Sequence, residues 1–216
     1  SLAGPHSILS LFSTSAAFGD SPAATGGGRL FEGGGFAAAW ELMQELYALS
    51  FKGWSDHNPI AILQALAGEA QAVYCPLVYG YVNYAIAAQG RHAVQFGDVP
   101  AGPSGSLGSV LGGTGLAVSR RAHVDDTLRA HLFHLLSVSA QCEFIPFADG
   151  QPSARAAWSD SRVNAACGEF FRSTQATLEQ ALVRPRHPGY VHFQTAASDL
   201  VRTLLPQRVQ APQVAS

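Results

Sequence analysis

The chain has 216 residues, of which 47% are apolar and 13% are charged, so it can bury a sizeable core in one large domain or two small lobes. This composition argues against a disordered or fibrous protein. The formal net charge of -2 provides no general attraction to nucleic acid or to an anionic membrane surface, so any partner must be recognised by local contacts.

The N-terminal third of the sequence predicts three helices. Apolar residues recur behind a proline that suits a first turn, which predicts a helix from about 5 to 18. Residues 20–35 include a proline and six glycines and are expected to form an exposed loop. The aromatic and aliphatic residues at 36–49 have the period of a half-buried helix. Asn58 precedes a proline, an N-cap signature that predicts a helix from 59 to 67.

The middle of the sequence predicts short strands separated by loops. Residues 70–77 combine β-branched and aromatic side chains with a proline behind them, which predicts a short buried strand. Further strands are predicted at 93–99 and 114–119. Between them, residues 100–113 are rich in glycine, proline and serine and are expected to form a loop.

The last third of the sequence is predicted to be helical with breaks. An apolar stripe predicts a helix that begins near Val124, and further helices are expected at roughly 139–147, 160–182 and 190–204. The tail at 207–216 is expected to be frayed. Helices and strands mix throughout, but the strands are too few for a complete doubly wound sheet. The predicted fold class is therefore α/β or α+β with an excess of helix.

The sequence lacks the common catalytic motifs. It contains no G-x-S-x-G turn of the α/β hydrolases. A phosphate-binding loop is excluded because the only lysine, Lys52, lies outside any suitable glycine-rich segment. Gly112–Gly115 lacks the third glycine of the dinucleotide fingerprint and precedes a predicted strand rather than a helix.

Isolated histidine, cysteine and aspartate residues favour structural roles. His131 and His134 lie three positions apart on a predicted helix, where a metal pair is geometrically possible, but no third ligand is evident and His131 is expected to pack in the apolar stripe. The three cysteines form no C-x-x-C pair, and Cys142 and Cys167 are expected to be small apolar fillers. Asp160 is expected to support the start of a helix. We predict neither a metal nor a cofactor.

A set of aromatic and polar residues forms the strongest candidate site. Aromatic faces combined with amide, hydroxyl and guanidinium groups suit an uncharged polyhydroxylated ligand, whose C–H faces stack on rings while its hydroxyls take hydrogen bonds. Tyrosines at strand ends more often serve packing and paired glycines more often serve tight turns, so the residues taken alone favour this structural alternative. The set consists of Tyr79, Tyr81, Asn83 and Tyr84, then Gly112, Gly113 and Thr114, and finally Gln151, Arg155 and Trp158.

Several short blocks between positions 2 and 205 form an ordered series. They are Gly4–His6, Asn58–Tyr84, Leu111–Ser119, Gly150–Trp158 and Arg184–Gln194. In their order and spacing these blocks resemble the bacterial extracellular solute-binding proteins of the sugar-binding family that feed ABC importers.

The resemblance implies a fold, a location and partners. The expected fold is α/β of the class II periplasmic-binding-protein type, with 1–206 forming the C-terminal portion of a two-lobed protein whose N-terminal lobe is largely missing. The implied ligand is a sugar or similar neutral solute held in an interlobe cleft, and the implied partner is the membrane permease of the importer. The protein would be a periplasmic or extracellular monomer that neither inserts into the membrane nor binds nucleic acid.

The resemblance also implies roles for individual residues. His6 and the turn from Tyr79 to Asn83 would face the cleft, the backbone of Gly112–Thr114 would approach the ligand, and Trp158 would supply a stacking face. Arg155 would contact either the ligand or a carboxylate, whereas Arg184, Arg186 and His187 would fix the loop before the last helix. The alternatives are a carbohydrate-active enzyme that reuses the same lobe and an inactive truncated chain.

Overall fold

The computed structural model describes residues 1–22, 29–51, 53–68 and 72–211, which form two compact units. Unit 1 consists of Ser1–Tyr79, Asp98–Leu111 and Ala176–Ser216, and unit 2 consists of Gly80–Gly97 and Gly112–Gln175. The α-helices are α1 (His6–Ala17), α2 (Gly35–Leu49), α3 (Pro59–Ala67), α4 (Asp126–Leu135), α5 (Arg155–Ser159), α6 (Ser161–Ala166), α7 (Phe170–Ser173), α8 (Gln175–Glu179) and α9 (Tyr190–Leu204).

The core of unit 1 forms where α1, α2 and α9 pack together. Phe12 of α1 and Trp40 of α2 are fully buried, and Val201 of α9 packs in the same cluster. Ser7 of α1 donates a hydrogen bond of 2.8 Å to the carbonyl of Ser198 in α9, so polar contacts join the two helices as well. These helices confirm the predictions over 5–18, 36–49 and 190–204, which rested on apolar periodicity.

The third predicted helix, α3, begins and ends where its sequence signals lie. The side chain of Asn58 accepts a hydrogen bond of 2.9 Å from the N–H of Ala61, which satisfies one of the donors that a helix start leaves unpaired. Pro59 occupies the first turn, where its missing N–H costs nothing. The helix ends at Ala67, before Gly68.

A buried carboxylate closes the loop between α1 and α2. Asp20 is only 5% exposed and accepts hydrogen bonds of 3.0 Å from the N–H groups of Gly33 and Phe36. The prediction of an exposed loop over 20–35 is therefore wrong at Asp20, because this side chain serves the first turn of α2. Residues 23–28 lie outside the described residues.

Two glycines in the loop over 98–111 lie directly against the backbone of α1. A Cβ placed on Gly102 would lie 1.8 Å from the carbonyl oxygen of Ala17, and one on Gly108 would lie 1.8 Å from that of Ser13. Only glycine permits such an approach. The loop prediction over 100–113 is confirmed, but its glycines serve packing as well as turning.

The C-terminal tail is held against α2 as far as the structure describes it. The carbonyl of Val209 accepts hydrogen bonds from Nε1 of Trp40 at 2.7 Å and from Nε2 of Gln44 at 2.9 Å. Ala211 is 8% exposed. Residues 207–211 therefore differ from the predicted frayed tail because Trp40 and Gln44 anchor them, and residues 212–216 lie outside the described residues.

The core of unit 2 is a small cluster that includes Val82, Val163, Cys167, Phe170 and Phe171. The helix predicted over 160–182 is instead divided into α6, α7 and α8. Gly168 and Glu169 both adopt positive φ angles, of 59° and 61°, which an α-helix cannot continue through. A Cβ on Gly168 would lie 2.3 Å from the carbonyl oxygen of Ala85, so packing also requires glycine there.

The three predicted strands do not form in the part of the chain that the structure describes. Among the described residues, pairing outside the helices consists of the isolated bridges Ala88–Arg91, Ala101–Leu107 and Val110–Leu182. Val73 is 93% exposed and Leu116 is 64% exposed, so neither lies in a buried strand. A strand requires a neighbour that takes its N–H and C=O groups, and the segments over 72–77, 93–99 and 114–119 have no such ladder. Residues 70 and 71 lie outside the described residues.

The helix predicted near Val124 forms on the surface of unit 2 as α4. Asp125 is its N-cap, and its Oδ1 accepts a hydrogen bond of 2.8 Å from the N–H of Leu128. The apolar stripe of α4 is half-buried at most, and no residue of this helix is fully buried. The following prediction over 139–147 is confirmed by a π-helical turn at Ala140–Phe144 and a 3₁₀ turn at Ile145–Ala148. The predicted excess of helix is thus confirmed, whereas the α/β part of the predicted class finds no support in the described residues, which pair only in isolated bridges.

Candidate functional site

The predicted site residues of unit 2 centre on a 3₁₀ turn at Val82–Tyr84. The N–H of Val82 donates a hydrogen bond of 3.1 Å to Oε1 of Gln151. The side-chain amide of Gln151, which was predicted to bind ligand, therefore positions the turn. The carbonyl of Asn83 accepts a hydrogen bond from Nη2 of Arg91, whose guanidinium lies 4.6 Å from the centre of the Tyr84 ring. Tyr81, at the start of the turn, is 38% exposed and available to a ligand.

Gln141 fixes the segment that carries Gln151 and Trp158. Gln141 is 5% exposed, donates to the carbonyl of Leu135, and accepts hydrogen bonds from the N–H groups of Ser153 and Ala154. Gln141 was not predicted from the sequence, because the backbone groups that it binds belong to other segments and come together only in the folded chain. Through these three hydrogen bonds Gln141 joins the segment before α5 to the end of α4.

Trp158 combines a packing role with a partly accessible ring. Its Nε1 donates a hydrogen bond of 2.9 Å to the carbonyl of Pro152, and the half-buried ring packs on the unit 2 core. The carbonyl of Trp158 accepts a hydrogen bond of 2.8 Å from Nδ2 of Asn164. The indole N–H is therefore already paired, and a ligand could use only the exposed part of the ring.

The remaining predicted residues of unit 2 lie on its surface. Gly112, Gly113, Thr114 and Arg155 are exposed. A Cβ built on Gly113 meets no atom within 4 Å, so packing among the described residues does not require glycine there. A close approach of ligand to this backbone stays a prediction.

Replacing Gln151 with alanine is expected to loosen the turn at Val82 by about 1 kcal/mol, because the buried N–H loses its acceptor. Amide hydrogen exchange at Val82 measures this directly and should become faster by several fold. Gln151→Glu keeps an acceptor oxygen and should restore most of the protection. Unchanged exchange at Val82 in Gln151→Ala would show that the turn does not depend on this contact.

In unit 1, His6 and Tyr79 lie together. The ring centroids of these two residues are 5.6 Å apart with an interplanar angle of 60°, and both side chains are half-buried. The hydroxyl of Tyr79 is buried and has no hydrogen-bond partner among the described residues. The resemblance assigned both residues to a binding site, and the structure places them in direct contact.

Tyr190 and Arg184 belong to the same unit and influence Tyr79 electrostatically. Tyr190, the first residue of α9, is 8% exposed, and its hydroxyl likewise has no hydrogen-bond partner within the described part of the chain. Arg184 donates a hydrogen bond of 3.1 Å from Nη1 to Oε1 of Gln194, one turn beyond Tyr190 on α9. We call His6, Tyr79, Arg184 and Tyr190 the tyrosine cluster.

The electrostatics of the tyrosine cluster follow from burial and from the charge of Arg184. Burial raises the pKa of Tyr79, the positive charge of Arg184 opposes that rise, and Tyr190 adds to it. Burial also raises the pKa of Tyr190, again against the charge of Arg184. Burial lowers the pKa of His6, and the N-terminal ammonium lowers it further. At neutral pH the cluster therefore presents two protonated phenols, an imidazole that favours its neutral form, and one cation.

The sequence predicted only one of the interactions of Arg184. Its bond to Gln194 fixes the loop before α9, as predicted, but the same guanidinium also acts on the two phenols. Tyr190 was not selected from the sequence at all. The signal that could have found it is the Pro-Gly pair directly before it, which predicts a helix start at a tyrosine.

The isolated residues considered in the sequence take structural positions. His131 is exposed, so its predicted packing role is wrong, because α4 lies on the surface. The described residues place no three His, Cys, Asp or Glu side chains together as a metal site. Cys142 and Cys167 are buried free thiols, and burial raises the pKa of Cys167. Asp160 caps α6, as predicted, by accepting hydrogen bonds from the N–H groups of Arg162 and Val163.

Two further observations bear on partners and on family. Among the residues that the structure describes, no helix is both long and apolar enough to cross a bilayer. Comparison with protein-family models, with curated proteins and with solved structures gives no match for this chain, so its assignment to a family stays a prediction.

Proposed function

We propose that the chain belongs to a substrate-binding component of an ABC importer and that it captures a sugar. The observation that carries this proposal is Tyr79, whose ring contacts His6 and whose buried hydroxyl has no hydrogen-bond partner among the described residues. A sugar presents C–H faces that pack on rings and hydroxyls that take hydrogen bonds from a phenol and an imidazole. The ordered sequence blocks that resemble the sugar-binding family support the same function.

The proposed function also implies a location and a partner for the protein. The ligand would be captured outside the cytoplasm and passed to a membrane permease, without any bond being made or broken. The chain would form the C-terminal portion of the binding protein. Permease genes beside the coding sequence are expected.

Calorimetric titration of the full chain with a panel of mono- and disaccharides tests the proposal. We expect at least one sugar to bind, and Tyr79→Ala to weaken it at least tenfold, which corresponds to about 1.4 kcal/mol. Tyr74→Ala is the matched control, because Tyr74 lies in the same unit, is 68% exposed and has no part in the tyrosine cluster.

Two results would contradict the proposal in different ways. Unchanged sugar binding in Tyr79→Ala would show that the site lies elsewhere. No detectable binding by any sugar of the panel at millimolar concentration would overturn the function itself.

A further inference from the structure

Residues 112–125 form an exposed connection in unit 2 that leads into α4. Every residue of this range is exposed, and Leu116 is 64% exposed. No backbone group of 112–118 forms a hydrogen bond to another described residue. A Cβ on Gly113 or Gly115 would meet no atom within 4 Å, so the space beside both glycines is open. This stretch of backbone can therefore change conformation without disturbing the core of unit 2.

Two adjacent arginines, Arg120 and Arg121, lie near the end of this connection. They are the only neighbouring pair of Lys or Arg residues in the sequence. Both are exposed, and within the described part of the chain neither guanidinium forms an ion pair. Two bonds close their turn, from the N–H of Ala122 to the carbonyl of Ser119 at 2.9 Å and from the N–H of Arg121 to Oγ of Ser119 at 3.2 Å. The pair is thus presented on a backbone that only two local, exposed bonds hold.

This arrangement suits the substrate of an arginine-specific endoprotease. An extended peptide binds to another protein through main-chain hydrogen bonds, while pockets for its side chains give specificity. A carboxylate in a protease pocket pairs with the guanidinium of the residue before the cleaved bond. Residues 112–118 have no competing backbone bonds, so only the turn at Ser119 has to open. Exposed segments of this kind are the preferred sites of proteolytic nicking.

The other exposed arginines are less suited to cleavage. Arg29 and Arg208 lie outside the α-helices but have no basic neighbour to fill a second pocket. Arg186 follows Pro185 and precedes Pro188 by two positions, and prolines remove N–H donors that an extended substrate would use. Four more lie within α-helices, whose backbone bonds oppose an extended conformation: Arg129, Arg155, Arg162 and Arg172.

The parts of the chain before and after Arg121 are joined by contacts within each unit. In unit 2, the bond from the N–H of Val82 to Gln151 links the two parts. In unit 1, the N–H of Leu111 donates to the carbonyl of Leu182 at 2.9 Å. The buried clusters of both units also combine residues from the two parts. A cut after Arg121 therefore removes a covalent link but none of these contacts.

We propose that the arginine pair is a proteolytic processing site, at which an endoprotease that recognises both arginines hydrolyses the Arg121–Ala122 bond and leaves a folded protein of two fragments. Water is the co-reactant: the amide C–N bond breaks, leaving a carboxylate on Arg121 and an ammonium group on Ala122. The inference does not depend on the proposed function, because it concerns the covalent state of unit 2 and not the tyrosine cluster.

Limited digestion of the full chain, followed by mass spectrometry, tests the inference. Trypsin needs only one basic residue, so with this enzyme accessibility decides among all the arginines. We expect its first cut at the arginine pair, about tenfold faster than at any other bond, because cleavage follows the population of open backbone. An endoprotease specific for paired basic residues should yield 1–121 and 122–216. These fragments should elute together from gel filtration in native buffer and separate in concentrated urea.

Three variants separate recognition of the pair from general accessibility. Arg120→Gln should stop the enzyme specific for paired basic residues, whereas trypsin should still cut after Arg121. Arg120→Gln combined with Arg121→Gln should make the connection resistant to trypsin as well. Arg129→Gln is the matched control, because Arg129 is an exposed arginine of the same unit within α4, and it should leave both digestions unchanged. Circular dichroism of each variant checks that the fold is retained.

The outcomes address the two parts of the inference separately. A first tryptic cut outside the arginine pair would overturn the site. Resistance of the native chain to the enzyme specific for paired basic residues, or its continued cleavage of Arg120→Gln, would overturn recognition of both arginines. Fragments that separate in native buffer would overturn the folded two-fragment product.

Discussion

Gly108→Ala is expected to destabilise unit 1 by about 3 kcal/mol, the upper part of the usual range for overpacking. The added Cβ would lie 1.8 Å from the carbonyl oxygen of Ser13 and 2.7 Å from the Cβ of Ala17. Both neighbours belong to α1, whose backbone cannot shift without disturbing the core around Phe12. Urea denaturation followed by far-ultraviolet circular dichroism should show the loss as a lower transition midpoint.

The matched control is Gly115→Ala, where the added Cβ meets nothing within 4 Å and the backbone has no positive φ. That variant should lie within about 0.5 kcal/mol of the parent chain. Gly102→Ala should resemble Gly108→Ala, because it presses on Ala17 in the same way. Equal midpoints for Gly108→Ala and Gly115→Ala would show that the loop moves away from α1 at little cost.

Asn164→Leu is expected to destabilise unit 2 by about 4 kcal/mol, as the sum of two unpaired buried groups. The Asn164 side chain is fully buried; its Nδ2 donates to the carbonyl of Trp158, and its Oδ1 accepts from the N–H of Arg172 at 2.9 Å. Leucine fills a similar volume but leaves both backbone groups without partners. The carbonyl of Asp160 keeps a partner, because the backbone N–H of residue 164 also donates to it.

Urea denaturation gives the free energy of this change, and amide exchange at Arg172 locates it. Asn58→Ala provides a graded comparison, because it removes one exposed capping bond and should cost about 1 kcal/mol. A loss in Asn164→Leu no larger than that in Asn58→Ala would mean that water reaches the two groups and replaces the amide.

Local signals were sufficient for the helices of unit 1. The Asn58-Pro59 pair, the proline before α1 and the apolar period of α2 each act within a few residues, so the chain need not be folded for them to be visible. The strand predictions were wrong because a strand depends on a partner that is distant in the sequence. Val73 and Leu116 have the composition of strand residues, but a strand exists only where a second segment pairs with it.

The buried polar contacts could not be predicted from the sequence either. Asp20, Gln141 and Asn164 bind backbone groups that belong to other segments, and nothing in their immediate neighbours marks them. Such residues are ordinarily expected on the surface. Their positions depend on the folded arrangement and not on a local pattern.

The candidate site was predicted in part. His6 and Tyr79 were both selected, and the structure brings their rings together. Gln151 was selected for a ligand but holds a turn, because its amide reaches the N–H of Val82. The lack of a hydrogen-bond partner for the Tyr190 hydroxyl within the described residues could not be foreseen, since it depends on which groups surround that hydroxyl after folding.

The assembly of unit 1 from separated segments has a consequence for how the chain folds during synthesis. Ser7 donates a hydrogen bond to the carbonyl of Ser198, a separation of 191 residues, so the contact between α1 and α9 cannot form until α9 has left the ribosome. Gly80–Gly97 and Gly112–Gln175, which form unit 2, are complete earlier. During translation the apolar faces of α1 and α2 therefore stay uncovered until α9 is synthesised. In that state they can bind chaperones or aggregate. In a chain truncated before α9, the apolar faces of α1 and α2 would stay uncovered.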